Sequence, residues 1–191
     1  MKRLLLATLL FLLAGCGGVG VTETTGVSLS APPRDSSYND TDVMFLQMAV
    51  PQHQQGIEMA ELAEDRASRG DVRDLAAAIV ATQSDELTEM EDWLEKWDQP
   101  VAYDPDPSAH AGHGGMHGAD PAVLAVLRDT PAGPDFDGRF LNLLTGHQLG
   151  AVELARLEEK EGKHPDARAL ADRIIKSRTA EVRQMGRFLN S

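Results

Sequence analysis

The side chains in this sequence that could do chemistry are sulfur and nitrogen donors gathered in two similar stretches. Residues 44–63 contain His53, Met48 and Met59, and residues 139–158 contain His147. Thioether and imidazole groups suit Cu(I), while imidazole with carboxylate can hold Cu(II). Further along each copy lies another methionine. The pattern therefore predicts candidate metal ligands at His53, Met48, Met59, Met90, His147 and Met185.

The two stretches belong to an internal repeat without gaps. Residues 42–96 overlay residues 137–191 at an offset of 95, with fifteen identities in fifty-five positions. Internal repeats of this kind indicate one structural unit that is used more than once. The shared residues include Asp42 and Asp137, and also Glu86 and Glu181. The chain is therefore interpreted as a duplicated unit.

Each copy has the pattern of a helical hairpin. Apolar residues recur at three- and four-residue spacing, which is typical of amphipathic helices, and Gly70 and Pro165 interrupt the pattern at matching places. Asp40 and Asp135 are candidate N-caps for the first helix of each copy. Each hairpin has an apolar face that must be buried against another element. The two hairpins together therefore predict an all-α, ferritin-like four-helix bundle.

The predicted domain organisation follows from these elements and from composition. We expect a signal peptide at residues 1–15, a flexible tether at 16–37 and the four-helix domain at 38–191. Within that domain the first hairpin spans 38–97, a crossover spans 98–134, and the second hairpin spans 135–191.

The hairpin geometry brings a histidine and a glutamate together in each copy. In two antiparallel helices, residues equally far from the turn lie at the same height, because both helices rise about 1.5 Å per residue. Counting from each predicted turn places His53 level with Glu86, and His147 level with Glu181. The methionines Met48 and Met90 should lie about one turn away. Glu86 shares the apolar stripe of its helix and is predicted to face inward, and Glu86 and Glu181 are predicted as acceptors that would orient a metal-bound histidine ring.

Three interpretations of this His, Met and Glu set remain open. The methionines can be core filler around a histidine held by a glutamate, since methionine usually packs. The set can bind a metal ion, for which copper fits best. A di-iron carboxylate enzyme would need Glu-x-x-His on two helices, and the match at Glu161 and His164 lies in a predicted turn. The sequence therefore disfavours an oxidase.

A second set of donors lies in the predicted crossover. The tract HAGHGGMHG spans residues 110–118 and carries His110, His113, Met116 and His117. Histidine-rich short tracts often bind metals, and a glycine-spaced loop can close around an ion. We predict these four residues as further metal ligands, with a solvated linker as the alternative.

The first residues have the pattern of an export signal. Lys2 and Arg3 precede an apolar run at residues 4–13, which is too short to span a bilayer. The following Leu-Ala-Gly-Cys at residues 13–16 resembles the lipobox of bacterial lipoproteins, in which the cysteine receives a diacylglyceryl group. Cys16 is the only cysteine, so an intramolecular disulfide is excluded. We predict an extracytoplasmic protein anchored to a membrane through Cys16, with an ordinary secretory signal as the alternative.

The charge of the chain limits its partners. The formal net charge is −12 at pH 7. Such a surface repels nucleic acids and anionic headgroups, and it tolerates or attracts cations. Nucleic acid is therefore excluded as an expected partner, and a metal ion is compatible.

The residues around the two histidines resemble a bacterial family named domain-of-unknown-function family 305. Copies in that family typically read Phe-x-x-Met-Met-Ile-Pro-His-His-x-x-Ala-Ile-x-Met-Ala and end in Met-x-x-Trp-Leu. The first copy here matches at Phe45, Met48, Pro51, His53, Ile57, Met59, Ala60, Met90, Trp93 and Leu94. Each copy keeps one histidine of the pair, since Gln52 and Gln148 replace the others. The resemblance implies an exported four-helix protein, and some members are linked to copper binding and copper tolerance.

The sequence thus predicts an extracytoplasmic lipoprotein that binds copper or a similar ion for buffering, storage or delivery. No catalytic set of residues is found, and we expect no catalysis. The alternative is a metal-free interaction module of the cell envelope, in which the histidines and methionines serve as core and linker.

Overall fold

The structure is a computed structural model that describes residues 37–101 and 121–191. The predicted signal peptide and nearly all of the predicted tether, with Cys16, and the His110–His117 tract lie outside the described residues. The described part is helical: α1 is Asp40–Arg66, α2 is Gly70–Lys96, α3 is Pro121–Asp129, α4 is Pro134–Glu161 and α5 is Pro165–Leu189. Helix α1 packs on α2 and on α4, and α4 packs on α5, while the short α3 lies against α1 and α4. The predicted four-helix bundle of two hairpins is confirmed.

The turns lie where the sequence predicted them, but the helix N-caps do not. Helices α2 and α5 begin at Gly70 and Pro165. Helix α1 is capped by Asn39, whose side chain and that of Asp42 bond reciprocally to each other's backbone N–H, and α4 is capped by Gly133 at φ 128°. The predicted caps Asp40 and Asp135 are therefore wrong. They lie in the first turn, where their charge favours the helix dipole.

The first helix of each hairpin holds the turn of the other hairpin. The carboxylate of Asp42 accepts hydrogen bonds from the backbone N–H groups of Lys163 at 3.0 Å and His164 at 2.8 Å. Its repeat partner Asp137 accepts from the N–H of Ser68 at 2.8 Å, from the Ser68 hydroxyl at 2.6 Å and from a further backbone N–H at 3.1 Å. Both aspartates are almost completely buried. These contacts join the two hairpins at each of the two turns.

A polar layer divides the interior into two apolar clusters. One cluster contains Phe45 and Ile174 together with Met48 and Met90. The other contains Met59 and Met185 together with a group of phenylalanines and leucines. Between these clusters each long helix carries buried or half-buried polar residues. We call them the central polar layer: Gln52, His53, Gln83, Glu86, His147, Gln148, Arg178 and Glu181.

Removing one of the buried aspartates should weaken the bundle. Asp137→Ala leaves the Ser68 donors and a neighbouring N–H without their acceptor, so we expect a loss of about 2–3 kcal/mol in the free energy of unfolding, since bonds to charged groups are the stronger ones. Asp135→Ala is the matched control, because Asp135 is exposed in the same first turn. Urea unfolding measures both, and equal losses would show that only the helix dipole matters.

Candidate functional site

The predicted contact between His53 and Glu86 is formed. His53 is 1% exposed, and its Nε2 lies 2.9 Å from Oε2 of Glu86. On the other side of the ring, Nδ1 donates to the carbonyl oxygen of Ala49 at 2.9 Å. A hydrogen bond between Nε2 and Oε2 needs a proton on one of these two atoms, because a carboxylate oxygen cannot bond to a bare nitrogen lone pair. Both ring nitrogens are therefore engaged within the protein.

The centre of the polar layer is an arginine that the sequence interpretation missed. Arg178 is fully buried, and its guanidinium bonds to Glu86 on α2 and to Oε1 of Glu181 at 3.3 Å. Its Nη2 also lies 3.4 Å from Nε2 of His53. A signal was present in the sequence, because Arg178 lies four residues after Ile174 and seven before Met185, on the buried stripe of α5.

The two carboxylates respond differently to this arginine. Burial alone would raise the pKa of Glu86, but the hydrogen bond from His53 and the charge of Arg178 outweigh burial, and the pKa lies below its ordinary value. Burial raises the pKa of Glu181, although Arg178 lowers it, and the nearby Glu86 adds to the rise. Glu86 therefore loses its proton more readily than Glu181.

The predicted contact between His147 and Glu181 is not formed. Glu181 accepts a hydrogen bond from Nε2 of Gln148 at 2.5 Å, so Gln148 takes the role that His53 has in the first copy. His147 precedes Gln148 by one residue, which rotates its side chain by about 100° around the helix axis. The His147 side chain instead points toward Gly56 on α1, and its backbone carbonyl oxygen accepts a hydrogen bond from the Gln52 side chain at 3.0 Å.

The His147 ring is neutral and has a nitrogen without a partner. Burial, followed by the charges of His53 and Arg178, lowers the pKa of His147 to about 4. Its Nε2 is shielded from solvent and makes no hydrogen bond, and the same holds for Oε1 of Gln83. Both atoms lie where a side chain at residue 56 would extend, and that residue is Gly56. The glycine therefore provides the space that these two side chains occupy.

The predicted metal ligands of the bundle are distributed over several layers. Met48 and Met90 lie in one apolar cluster, Met59 and Met185 in the other, and the two histidines lie between them. Within residues 37–101 and 121–191, no group of three or more His, Cys, Asp or Glu side chains is arranged to hold a metal ion. A metal at His53 would have to displace hydrogen bonds at the ring, so this residue does not fit the role of a ready ligand. His147, with its unpaired Nε2, fits better.

Comparison with known proteins identifies the family. A family model described as a domain of unknown function, DUF305, matches residues 42–189. The chain belongs to the DUF305 family. No functionally curated protein matches it.

Solved DUF305 structures share the fold. A DUF305 protein from Streptomyces coelicolor, named as a secreted protein, is 29% identical with a TM-score of 0.69, over 78% of this chain and 91% of that chain. A DUF305 fragment from Deinococcus radiodurans is 27% identical with a TM-score of 0.68, over 80% and 97% of the two chains. CopM in its Cu(I)-bound form is 29% identical with a TM-score of 0.66, again over 80% and 97%. CopM was also solved bound to Cu(II) and to Ag.

This DUF305 chain also buries a carboxyl group away from the polar layer. Glu158 on α4 is completely buried, and burial, with the adjacent carboxylate of Asp42, raises its pKa from 4.5 to about 9, against the lowering effect of Arg168. The folded protein therefore holds a proton at Glu158 at neutral pH. The repeat partner of Glu158 is Ala63, so only one end of the bundle has this group.

Gly56→Ala should destabilise the DUF305 bundle. The new methyl group would meet Gln83 and His147 in a packed interior, where overpacking costs about 1–3 kcal/mol. Gly150→Ala is the matched control, because its Cβ would enter open space on α4, and replacing a helical glycine there stabilises by up to about 1 kcal/mol. Thermal unfolding compares the two, and a stabilised Gly56→Ala protein would contradict the described packing.

Stability should fall as the pH rises through the neutral range. Because the folded state keeps the Glu158 proton and the unfolded state releases it near pH 4.5, the contribution of Glu158 to stability is full below about pH 4.5 and is lost progressively up to about pH 9. Glu158→Gln, which cannot ionise, should flatten this slope. The exposed Glu153→Gln on the same helix should leave it unchanged. Urea unfolding at a series of pH values tests this, and parallel curves for Glu158→Gln and wild type would refute it.

Proposed function

We propose that this protein binds copper outside the cytoplasm, as a lipid-anchored protein of the cell envelope that buffers, stores or delivers the ion and catalyses no reaction. The observation that carries the proposal is the likeness to CopM, which was solved in Cu(I)-, Cu(II)- and Ag-bound forms at 29–30% identity to this chain. Soft thioether and imidazole donors suit Cu(I), and silver is a similar soft ion.

Several features support the extracytoplasmic part of the proposal. The family relative from Streptomyces coelicolor is named as a secreted protein. Residues 13–16 of this chain have the lipobox pattern with Cys16, and two acyl chains are enough for stable anchoring. Among the described helices, none is both long and apolar enough to cross a membrane. The net charge of −12 favours a cation as the bound species.

We assign the principal copper ligands to the crossover tract, at His110, His113, Met116 and His117. The bundle offers a second set of donors. The rings of His53 and His147 differ there, since His53 is bonded at both nitrogens while Nε2 of His147 has no partner. The buried methionines Met48, Met59, Met90 and Met185 can add a sulfur only if the apolar clusters open. In the simplest division of roles, the histidine-rich tract binds the ion and the bundle carries the tract.

The metal-free alternative also has an observation in its favour. The hydrogen bonds of His53 and Glu86 are made within the polar layer, which is what a histidine used only for folding would show. The two functions differ in a measurable property. A metal-free interaction module takes up no copper at any stoichiometry.

Copper uptake should depend on the crossover tract and not on the fold. We expect the mature protein to bind Cu(I) and Cu(II) in titrations with competing chelators, and we expect a variant with His110→Asn, His113→Asn, Met116→Leu and His117→Asn to lose most of this uptake without a change in melting temperature. His164→Asn is the matched control, because His164 caps α5 outside the tract and asparagine is also a good N-cap.

The intact mass of membrane-extracted protein shows whether Cys16 carries lipid.

Two results would contradict this assignment in different ways. Full uptake by the tract variant would move the ligands into the bundle, with His147 the first residue to test. No uptake by the wild-type protein would reject copper binding and favour the metal-free module.

A further inference from the structure

One side of the bundle is more open than the others. The backbones of α1 and α2, of α1 and α4, and of α4 and α5 pack closely, and α3 lies against α1 and α4. By contrast, α2 and α5 are joined mainly by side chains, and a surface groove runs between them. Its lining includes Thr82, Asp85 and Glu86 of α2 and Arg173 and Ser177 of α5. We call this side of the bundle the α2/α5 face.

The two helices of this face differ in charge. Helix α2 has eight acidic and two basic residues, whereas α5 has three acidic and six basic residues. Because the whole chain has a net charge of −12, an excess of basic residues on one helix departs from its composition. An acidic helix and a basic helix therefore lie side by side.

The internal repeat shows that the fold does not require this difference. At buried positions of the two helices the copies agree, as at Ile79 and Ile174 and at Met90 and Met185. At four exposed positions they differ: the first copy has Ala78, Ala81, Thr88 and Asp92, and the second has Arg173, Lys176, Arg183 and Arg187. Packing explains why buried positions stay apolar, but it sets no charge at exposed positions. A contact outside the chain would explain the four basic residues.

The exposed charges of the two helices match in height along the bundle. Helices α2 and α5 run antiparallel, since Glu86 bonds to Arg178 and Glu89 bonds to Arg173. Counting from these contacts brings three exposed bases level with three exposed acids, to within about one turn of helix. These level pairs are Arg173 with Asp92, Lys176 with Asp85, and Arg187 with Asp74.

This arrangement makes the α2/α5 face complementary to itself. A two-fold axis along the groove places α5 of one copy over α2 of the other at unchanged height, so each base meets an acid. Between the charged ends, the exposed residues Ala81 and Ala180 are small and allow the helices to approach. Helices of 27 and 25 residues give a face of roughly 40 by 20 Å, or about 800 Å² per copy, which is the size of a stable interface.

We propose that the α2/α5 face is the interface of a homodimer, in which the basic helix α5 of each copy packs against the acidic helix α2 of the other. This inference is independent of copper binding. Two pairs within the chain, Arg173 with Glu89 and Lys176 with Asp172, are exposed and contribute little, so exchanging them for contacts between copies costs little. The net charges of the two copies are screened beyond about 8 Å at physiological ionic strength, whereas the facing charges are in contact.

Sedimentation equilibrium of the mature protein measures the association. Cys16→Ser ensures that neither a lipid nor a disulfide holds two copies together, and EDTA prevents metal ions from bridging them. We expect a dimer whose Kd rises at least about tenfold between about 0.1 M and about 1 M NaCl, because the Debye length falls from about 10 Å to about 3 Å.

Charge reversal on either helix alone should dissociate the dimer. Lys176→Glu with Arg187→Glu makes the exposed face of α5 acidic, and Asp74→Arg with Asp85→Lys makes that of α2 basic. Each double variant then repels a second copy of itself. In an equimolar mixture, the reversed α5 of one variant meets the reversed α2 of the other, so the mixture should form a heterodimer.

The matched control changes the same number of charges elsewhere. Arg139→Glu with Arg156→Glu lies on the exposed surface of α4, away from the α2/α5 face, and should leave Kd unchanged within about twofold. Circular dichroism of all variants checks that helix content is retained.

Three results would overturn the proposal. They are a wild-type protein that stays monomeric at every concentration, reversed variants that remain dimeric by themselves, and a mixture of the two monomeric variants that stays monomeric. If the reversed variants do not fold, the salt series on the unreversed protein decides. A dimer that weakens with salt then supports the proposal, and a monomer or a salt-independent dimer rejects it.

Discussion

The buried ion pairs of Arg178 are the interaction on which the rest of the bundle depends. A guanidinium that is buried away from solvent needs carboxylates of the protein to compensate its charge. Arg178 bonds to two of them, Glu86 on α2 and Glu181 on its own helix. Such a pair adds little net stability compared with apolar packing, but losing one partner costs several kcal/mol because a charge is left alone. The helices can therefore slide or rotate only by breaking this contact. We expect this contact to favour one register of α5 against α2.

The link between α2 and α5 illustrates this dependence. The backbones of α1 and α2 pack closely, as do those of α4 and α5, whereas α2 and α5 are joined mainly by side chains. Arg178 reaches Glu86 inside, and Arg173 bonds to Glu89 at 2.6 Å nearer the surface. The outer pair is exposed and contributes little. The inner pair is shielded from water and salt, so screening weakens it much less than the outer pair.

The sequence could predict what depends on helix geometry, and it failed where rotation or environment decides. The contact of His53 with Glu86 follows from the rise per residue together with the inward-facing position of Glu86, and it was predicted correctly. His147 was placed wrongly because height says nothing about the direction in which a side chain points. The burial of Arg178 was not predicted, because a charged residue is normally expected to be exposed even on an apolar stripe. Only its buried carboxylate partners explain its position. The separation of the methionines by a polar layer could not be foreseen from their spacing, which indicates only that they are buried.

The crossed aspartate contacts have a consequence for the history of the chain. Asp42 holds the turn of the second hairpin and Asp137 holds the turn of the first, so neither hairpin contains the acceptor that its own turn requires. One hairpin alone is an incomplete folding unit. Two identical copies related by a two-fold axis would supply each other with the missing acceptor through a self-complementary interface. The present chain has the internal organisation of a homodimer whose subunits were later joined, and the crossover is the segment that made a bimolecular assembly unimolecular.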